Sequence, residues 1–124
     1  MRVLLDTHLL LWALAQPSKL SKAARRQIDS AEVFASAASI WEISIKSALG
    51  NLKADPNEVL QAIEPAGFSV LAISGQHAAR VAALPPVHRD PFDRMLVAQA
   101  LVEPMTLLTN DRALLGYGPV VSIA

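Results

Sequence analysis

Four well-separated acidic positions stand where a sheet of parallel strands would bring them together. Asp6 and Asp111 follow short apolar runs of β type, Glu42 lies within an apolar helical segment, and Asp93 stands near the start of another. Carboxylates crowded together repel one another, and a bound divalent cation relieves that repulsion. Mg²⁺ and Mn²⁺ prefer hard oxygen ligands and often bind carboxylates beside water and substrate phosphate. The set therefore predicts a metal site that acts on a phosphodiester bond.

Each acidic position also has a purely structural explanation when it is taken alone. Aspartate is a preferred helix N-cap, which suits both Asp6 and Asp111. Glu42 is spaced to pair with Lys46 at i,i+4, an interaction that contributes about 0.3–0.5 kcal/mol on a helix surface. The helix around Glu42 is nevertheless apolar over most of its circumference, which predicts burial. A buried carboxylate needs a partner, and a metal ion is one candidate.

Asp90 and Asp93 stand three residues apart at the start of a predicted helix. Asp90 precedes Pro91 and fits an N-cap, while Asp93 occupies the position of a capping-box acid. Asp93 also shares a helix face with the apolar residues Leu96, Val97 and Ala100. We therefore expect Asp93 to be the better metal ligand and Asp90 to be an accessory acid at the rim.

The elements that must position these acids alternate between strand and helix. Five short apolar runs predict β-strands, at Arg2–Asp6, Glu32–Ala35, Phe68–Ile73, Met105–Thr109 and Val120–Ile123. Helical spacing between them is accompanied by N-cap signals at Ser21, Asp55, Ser74 and Asp90, and Gly50 is placed to end a helix that starts near Ala37. This order favours an α/β fold with a mainly parallel sheet covered on both faces. Ligands of such sheets bind outside the carboxyl ends of the strands, where the acids fall.

Composition narrows the class of protein. The chain has 124 residues, which fits one domain, and 52% of them are hydrophobic, which is enough for a core. It has no cysteine, so disulfides, thiolate zinc sites and cysteine nucleophiles are excluded. Eleven basic residues balance eleven acidic ones, so contact with nucleic acid must depend on local patches or on metal ions. The N-terminus lacks the apolar stretch of a signal peptide, and we expect a soluble, cytoplasmic protein.

Four motifs occur in order and cover essentially the whole chain. They are Val3-Leu-Leu-Asp-Thr-His8, Ser39-Ile-Trp-Glu-Ile43, His88-Arg-Asp-Pro-Phe-Asp-Arg94 running into Leu96-Val-Ala-Gln-Ala100, and Leu108-Thr-Asn-Asp111. Together they resemble a PIN domain. The Asp-Pro-Phe-Asp-Arg segment is especially similar to the VapC toxins of bacterial toxin–antitoxin pairs.

The resemblance implies a three-layer α/β/α ribonuclease domain over residues 1–124 that uses Mg²⁺ or Mn²⁺. It implies that Asp6, Glu42 and Asp93 bind the metal and form the catalytic core, with Asp111 as a fourth, more variable catalytic acid and Asp90 as an accessory acid. Thr7 and Thr109 match small hydroxyl residues that accompany the acids. It also implies homodimers, and inhibition by a small antitoxin whose C-terminal tail occupies the site.

Basic side chains near the acids are candidates for binding substrate phosphates. Arg89, Arg94 and Arg112 flank the acids in sequence, and they can instead pair with them.

Two other functions fit parts of this pattern. A metal-dependent phosphodiesterase acting on DNA would need the same acids, because recognition of a 2′-hydroxyl leaves no short motif. A signalling receiver domain also places carboxylates around Mg²⁺, but it pairs two adjacent acids after its first strand and needs an aspartate after its third. Here Asp6 has no acidic neighbour, and Phe68–Ile73 leads into Ser74-Gly75. The receiver interpretation is therefore disfavoured.

Overall fold

A five-stranded sheet in which every pairing is parallel forms the centre of the computed structural model, which describes residues 1–124. The strands, in the spatial order β3-β2-β1-β4-β5, are β1 Arg2–Leu5, β2 Glu32–Ser36, β3 Ser69–Leu71, β4 Thr106–Thr109 and β5 Val121–Ile123. All five predicted strands are present, and their ends differ from the predicted ones by at most two residues.

Helices fill the connections between the strands. The α-helices are α1 Thr7–Ala15, α2 Lys22–Ser30, α3 Ala37–Ala48, α4 Pro56–Ile63, α5 Gly75–Val81 and α6 Pro91–Val102, and 3₁₀ helices cover Pro17–Lys19 and Arg112–Tyr117. The predicted caps are confirmed, because the side chains of Ser21, Asp55, Ser74 and Asp90 accept backbone N–H groups of the helices that follow them. Gly50 has a φ of 77°, which suits the end of α3. No helix has the length and apolar character to cross a bilayer.

Alternate residues of the strands enter two separate cores, one on each face of the sheet. Val3 and Leu5 of β1 pack in a cluster with residues of α1, α2 and α4. Leu4, between them, belongs to a second cluster that includes Leu96 and Val97 of α6. This alternation follows from the two-residue period of a strand. The three-layer α/β/α arrangement with a parallel sheet is therefore confirmed.

The direction of the strand order changes at β1, which lies between β2 and β4. The N–H of Asp6 donates to the carbonyl of Leu108 at 3.0 Å, so the carboxyl ends of β1 and β4 lie side by side. In open α/β sheets this switch point creates a crevice that serves as the usual ligand site. The topology therefore places Asp6 at that crevice, together with the residues after β4.

A buried hydrogen-bond bridge joins α3 to α6. The hydroxyl of Ser36, which caps α3, donates to Oε1 of Gln99 at 2.5 Å and accepts the N–H of Ala38 at 2.9 Å. Nε2 of Gln99 donates to the carbonyl of Ala72 at 3.3 Å, just beyond β3. Since Ser36 and Gln99 are both fully buried, water cannot replace the bond between them.

Replacing Gln99 by methionine tests the contribution of this bridge. Gln99→Met keeps the length of the side chain but leaves the buried Ser36 hydroxyl and the Ala72 carbonyl without their partner. We expect a loss of about 1–3 kcal/mol in the free energy of unfolding, measured by urea denaturation. Gln61→Met, at an exposed position of α4, is the matched control and should stay within about 0.5 kcal/mol. Equal stability of the two variants would contradict a structural role for the bridge.

Candidate active site

A polar cleft opens at the carboxyl edge of the sheet and has a volume of about 240 Å³. None of the residues that line it is hydrophobic, and they are Asp6, Thr7, His8, Glu42, Lys46, His88, Asp90, Asp93, Asn110 and Asp111. The structure thus brings together all five acids that the sequence singled out, from positions far apart in the chain. Neutral and basic side chains interleave with them.

Asp6 ends β1 and caps α1 at the same time. Its Oδ1 accepts the N–H of Leu9 at 2.8 Å, and its Oδ2 accepts the hydroxyl of Thr109 from the neighbouring strand. Only 5% of Asp6 is exposed. Burial raises the pKa of this carboxyl, although the hydrogen bonds from Thr109 and Leu9 act in the opposite direction.

Glu42 is a buried carboxylate of α3 with a partner on each oxygen. The hydroxyl of Thr7 donates to Oε1 at 2.6 Å, and Nζ of Lys46 donates to Oε2 at 2.5 Å. Ser39, one turn earlier, places its hydroxyl 2.9 Å from that of Thr7. Glu42 and Lys46 therefore both line the cleft, although the side chain of Lys46 remains 40% exposed. The bond with Glu42 raises the pKa of Lys46, so the lysine is held in its cationic form.

Asp90 and Asp93 begin α6 at the opposite wall of the cleft. Oδ1 of Asp90 accepts the N–H groups of Phe92 at 2.8 Å and of Asp93 at 3.1 Å, as expected of an N-cap. Burial, together with the charges of Asp90 and Glu42, raises the pKa of Asp93 to about 7. Without a cation the cleft therefore favours the neutral form of Asp93 over much of the acidic range.

Asp111 and His88 complete the cleft. Oδ1 of Asp111 accepts the N–H of Ala113 at 3.0 Å, and its Oδ2 lies 3.6 Å from Nε2 of His88. Nδ1 of His88 accepts the N–H of Asp90 at 3.1 Å and lies 3.8 Å from Oδ2 of Asp93. The imidazole thus stands between two acids that are distant in sequence.

The structure does not bring the flanking arginines into the cleft. The guanidinium of Arg94 donates to the carbonyls of Val81 at 3.0 Å and Pro85 at 3.1 Å, and to the Tyr117 hydroxyl at 3.2 Å. Arg94 therefore ties α6 to the loop that follows α5. Arg112 is exposed at the start of its 3₁₀ helix and does not line the cleft, and neither does Arg89.

Four lining residues were not singled out as site residues from the sequence. Lys46 was interpreted as half of a surface ion pair, and His88 was quoted only as part of a motif. His8 lies three residues after the end of β1 and Asn110 one residue after the end of β4, and position just after a strand is the signal that pointed to the acids. The same signal, applied to all polar residues, would have included these two.

The donor set of the cleft fits a hard divalent cation. Asp6, Glu42 and Asp93 all line the cleft, and ligand atoms of His88, Asp93 and Asp111 lie within 4.8 Å of one another. Oxygen-rich, acidic surroundings of this kind suit Mg²⁺ or Mn²⁺ and not a softer thiolate-bound metal. The raised pKa of Asp93 reflects its burial and the negative charges of neighbouring acids, which a cation would neutralise.

Comparison with known proteins agrees with this fold. Residues 3–118 match the model of the family described as the PIN domain. The chain belongs to the PIN-domain family. It is 35% identical over 117 residues to ribonuclease VapC22 of Mycobacterium tuberculosis, a match that covers 90% of this chain and 88% of that protein. The expected similarity to the VapC group is confirmed.

Solved structures with the same fold include VapC-type complexes. VapBC2 from Rickettsia felis, bound to a DNA fragment from its promoter, superposes with a TM-score of 0.70 at 14% identity and covers 100% of this chain and 98% of that one. FitAcB from Neisseria gonorrhoeae gives a TM-score of 0.63 at 20% identity, covering 98% and 95% of the two chains. At these identities the similarity shows the fold.

The pKa of Asp93 predicts how stability depends on pH when no divalent cation is present. Because this pKa is raised from 3.8 to about 7 in the folded protein, the folded state binds the proton more tightly than the unfolded chain. The stabilising effect of this bound proton is complete below the pKa of Asp93 in the unfolded chain, and it is lost as pH rises through about 7, the pKa in the folded protein. In EDTA we expect the free energy of unfolding to fall by on the order of 2 kcal/mol between pH 5 and pH 8.

Urea denaturation across this pH range measures the effect. Asp93→Asn should flatten the profile and hold or raise stability near neutral pH, since one like charge leaves the cleft. Asp29→Asn, at an exposed position of α2, should leave the wild-type profile unchanged. A wild-type profile that stays flat, or that rises towards pH 8, would contradict a raised pKa of Asp93 in the folded protein.

Proposed function

We propose that this chain is a metal-dependent endoribonuclease that acts as the toxin of a toxin–antitoxin pair, with one nuclease domain over residues 1–124. The observation that carries the proposal is the convergence of five carboxylates in a single cleft at the switch point of the sheet. A bound Mg²⁺ or Mn²⁺ supplies Lewis-acid polarisation of a phosphoryl oxygen and activation of water. The 35% identity to a protein named a ribonuclease supports RNA as the substrate.

The acids take distinct roles in this proposal. Asp6, Glu42 and Asp93 hold the metal in this proposal, because Asp6 and Glu42 are buried and the side chain of Asp93 is 22% exposed against 44% for that of Asp111. Asp111 is the fourth catalytic acid, and one of its carboxylate oxygens lies within 4.8 Å of a ligand atom of Asp93. Asp90 is an accessory acid whose Oδ1 is already used in capping α6.

Two threonines position the metal-binding carboxylates. The hydroxyl of Thr109 donates to Asp6 and that of Thr7 donates to Glu42, so each acid is oriented before metal or substrate arrives. Preorganised ligands lose less freedom on binding, which favours both metal affinity and alignment of the phosphodiester.

Cleavage of RNA tests the proposed activity. Purified protein should cleave bulk transfer RNA or a mixed-sequence oligoribonucleotide with Mg²⁺ or Mn²⁺ and should stop in excess EDTA. Asp6→Asn and Asp93→Asn should lower the single-turnover rate by at least about a hundredfold with the fold intact, and Asp90→Asn should cost less. The control Asp29→Asn should cleave as the wild type does. Undiminished cleavage in EDTA would contradict the metal mechanism. Preferential cleavage of DNA of the same sequence would show that the substrate is DNA and not RNA.

A groove beside the cleft supports a protein partner. It has a volume of about 500 Å³ and lies between α1 and α4, with Leu11, Trp12 and Val59 among its apolar lining. His8 lines both this groove and the acidic cleft, so the two are continuous. We propose that a small antitoxin lays an apolar segment in the groove and extends a cationic side chain towards the acids. The Rickettsia felis structure, described as VapBC2, supports such a partner.

An apolar stripe on α3 supports self-association. Trp41, Ile45 and Leu49 recur at i, i+4 and i+8 and are 58%, 37% and 69% exposed. Exposed apolar helix faces of this kind mark interfaces, and closed two-fold dimers are the commonest outcome. We propose that the homodimer uses this stripe.

Light scattering tests both associations. The chain alone at micromolar concentration should have the mass of a dimer, and Ile45→Glu should shift it to a monomer because a charge enters the interface. Leu60→Glu, which alters an exposed leucine of α4, should remain dimeric. Co-expression with the product of a neighbouring small gene should give a larger complex with lower RNA cleavage. A monomeric wild type would exclude the dimer, and an inert co-expressed product would exclude the toxin assignment.

A further inference from the structure

The acidic cleft contains a single lysine and no arginine among its lining residues. Lys46 is that lysine, and it faces five carboxylates. A phosphodiester substrate is itself anionic, and nucleic-acid affinity depends on cations that contact phosphates. Arg94, the arginine next to Asp93 in sequence, is bound to backbone carbonyls away from the cleft. Lys46 is therefore the only permanently cationic side chain that lines the acidic cleft.

In the present structure Lys46 occupies an oxygen that the proposed metal site needs. Its Nζ lies 2.5 Å from Oε2 of Glu42, while Oε1 of the same carboxylate accepts the Thr7 hydroxyl at 2.6 Å. Both oxygens of Glu42 are thus taken. A cation that binds through Oε2 must displace the ammonium, and two positive charges on one oxygen would repel each other.

The two partners of this ion pair differ in freedom to move. The side chain of Glu42 is 6% exposed and is fixed by Thr7, whereas that of Lys46 is 40% exposed at the mouth of the cleft. Lysine carries its charge on a flexible four-carbon stem with three rotatable donors. When the pair separates, Lys46 is the partner that moves.

We propose that Lys46 is a substrate-binding residue that exchanges Glu42 for a phosphate oxygen of the RNA when the site is loaded. The proposal rests on the proposed nuclease function and adds the residue that receives the substrate's charge. Before loading, Lys46 neutralises Glu42. After loading, it contacts the phosphate, and Oε2 of Glu42 is left to the cation. An ordinary i,i+4 surface ion pair would do neither, and its removal would change little.

The exchange predicts that removal of the lysine has opposite effects on metal and on RNA. Lys46→Met keeps the length of the stem and removes the charge. Without RNA, Mn²⁺ should bind the variant about threefold more tightly than the wild type, measured by the electron paramagnetic resonance signal of free Mn²⁺, because a competitor for Glu42 is gone. At saturating Mn²⁺, half-maximal single-turnover cleavage of a fluorescein-labelled mixed-sequence RNA should need about tenfold more protein.

The salt dependence of RNA affinity distinguishes the two roles, because it would not change if Lys46 had only a structural role. Loss of one phosphate contact should lower the slope of log affinity against log salt concentration by about 0.7 for single-stranded RNA. Lys46→Arg keeps the charge and should recover most of that slope. Lys22→Met, at an exposed position of α2, is the matched control and should match the wild type in every measurement.

The outcomes separate this proposal from the function on which it rests. If the wild-type protein neither binds Mn²⁺ nor cleaves RNA, the proposed nuclease function is wrong, and so is the role of Lys46 that rests on it. If wild type does both and Lys46→Met leaves both affinities within twofold, the lysine is only a surface partner of Glu42. Weaker Mn²⁺ binding in Lys46→Met, or tighter Mn²⁺ binding with undiminished cleavage, also overturns the exchange.

Discussion

Mutual repulsion among carboxylates that share one small cleft is the constraint on which the rest of this structure depends. Five acids face a volume of about 240 Å³, and each negative charge makes the next more costly to hold. Three contacts and one protonation reduce this repulsion. Threonine hydroxyls donate to Asp6 and Glu42, the ammonium of Lys46 donates to Glu42, and the pKa of Asp93 is raised to about 7. The remaining charge is what makes a divalent cation a stabilising partner and not only a reagent.

Helix capping uses only one carboxylate oxygen of three aspartates in the cleft. Asp6, Asp90 and Asp111 each accept backbone N–H groups through Oδ1 at the start of a helix. The second oxygen is not used in capping, and in Asp111 it faces His88. The positive ends of these helices also offset part of the acidic charge. The structural explanation of these aspartates as helix caps is therefore compatible with the proposed functional one.

The position of the acids depends on how α3 packs against α6. Contacts join the start of α3 to the later part of α6 through Ser36 and Gln99, while Trp41 meets Phe92 edge-on with ring centroids 5.1 Å apart. The two helices thus run in opposite directions. Glu42 and Asp93 directly follow the two aromatic residues in sequence.

Local pattern was sufficient for the elements and for the acids. Apolar runs gave the five strands, cap residues gave the starts of most helices, and the ends of the strands pointed to Asp6 and Asp111, because these signals depend on near neighbours in the chain. Only tertiary structure decided which basic groups join the acids. Arg94 follows Asp93 in sequence, but successive helical residues point about 100° apart, and its guanidinium binds the loop after α5. The spacing along α3 predicted the pairing of Lys46 with Glu42, but it did not predict that this pair would share a cleft with His88, because that depends on the packing of distant segments.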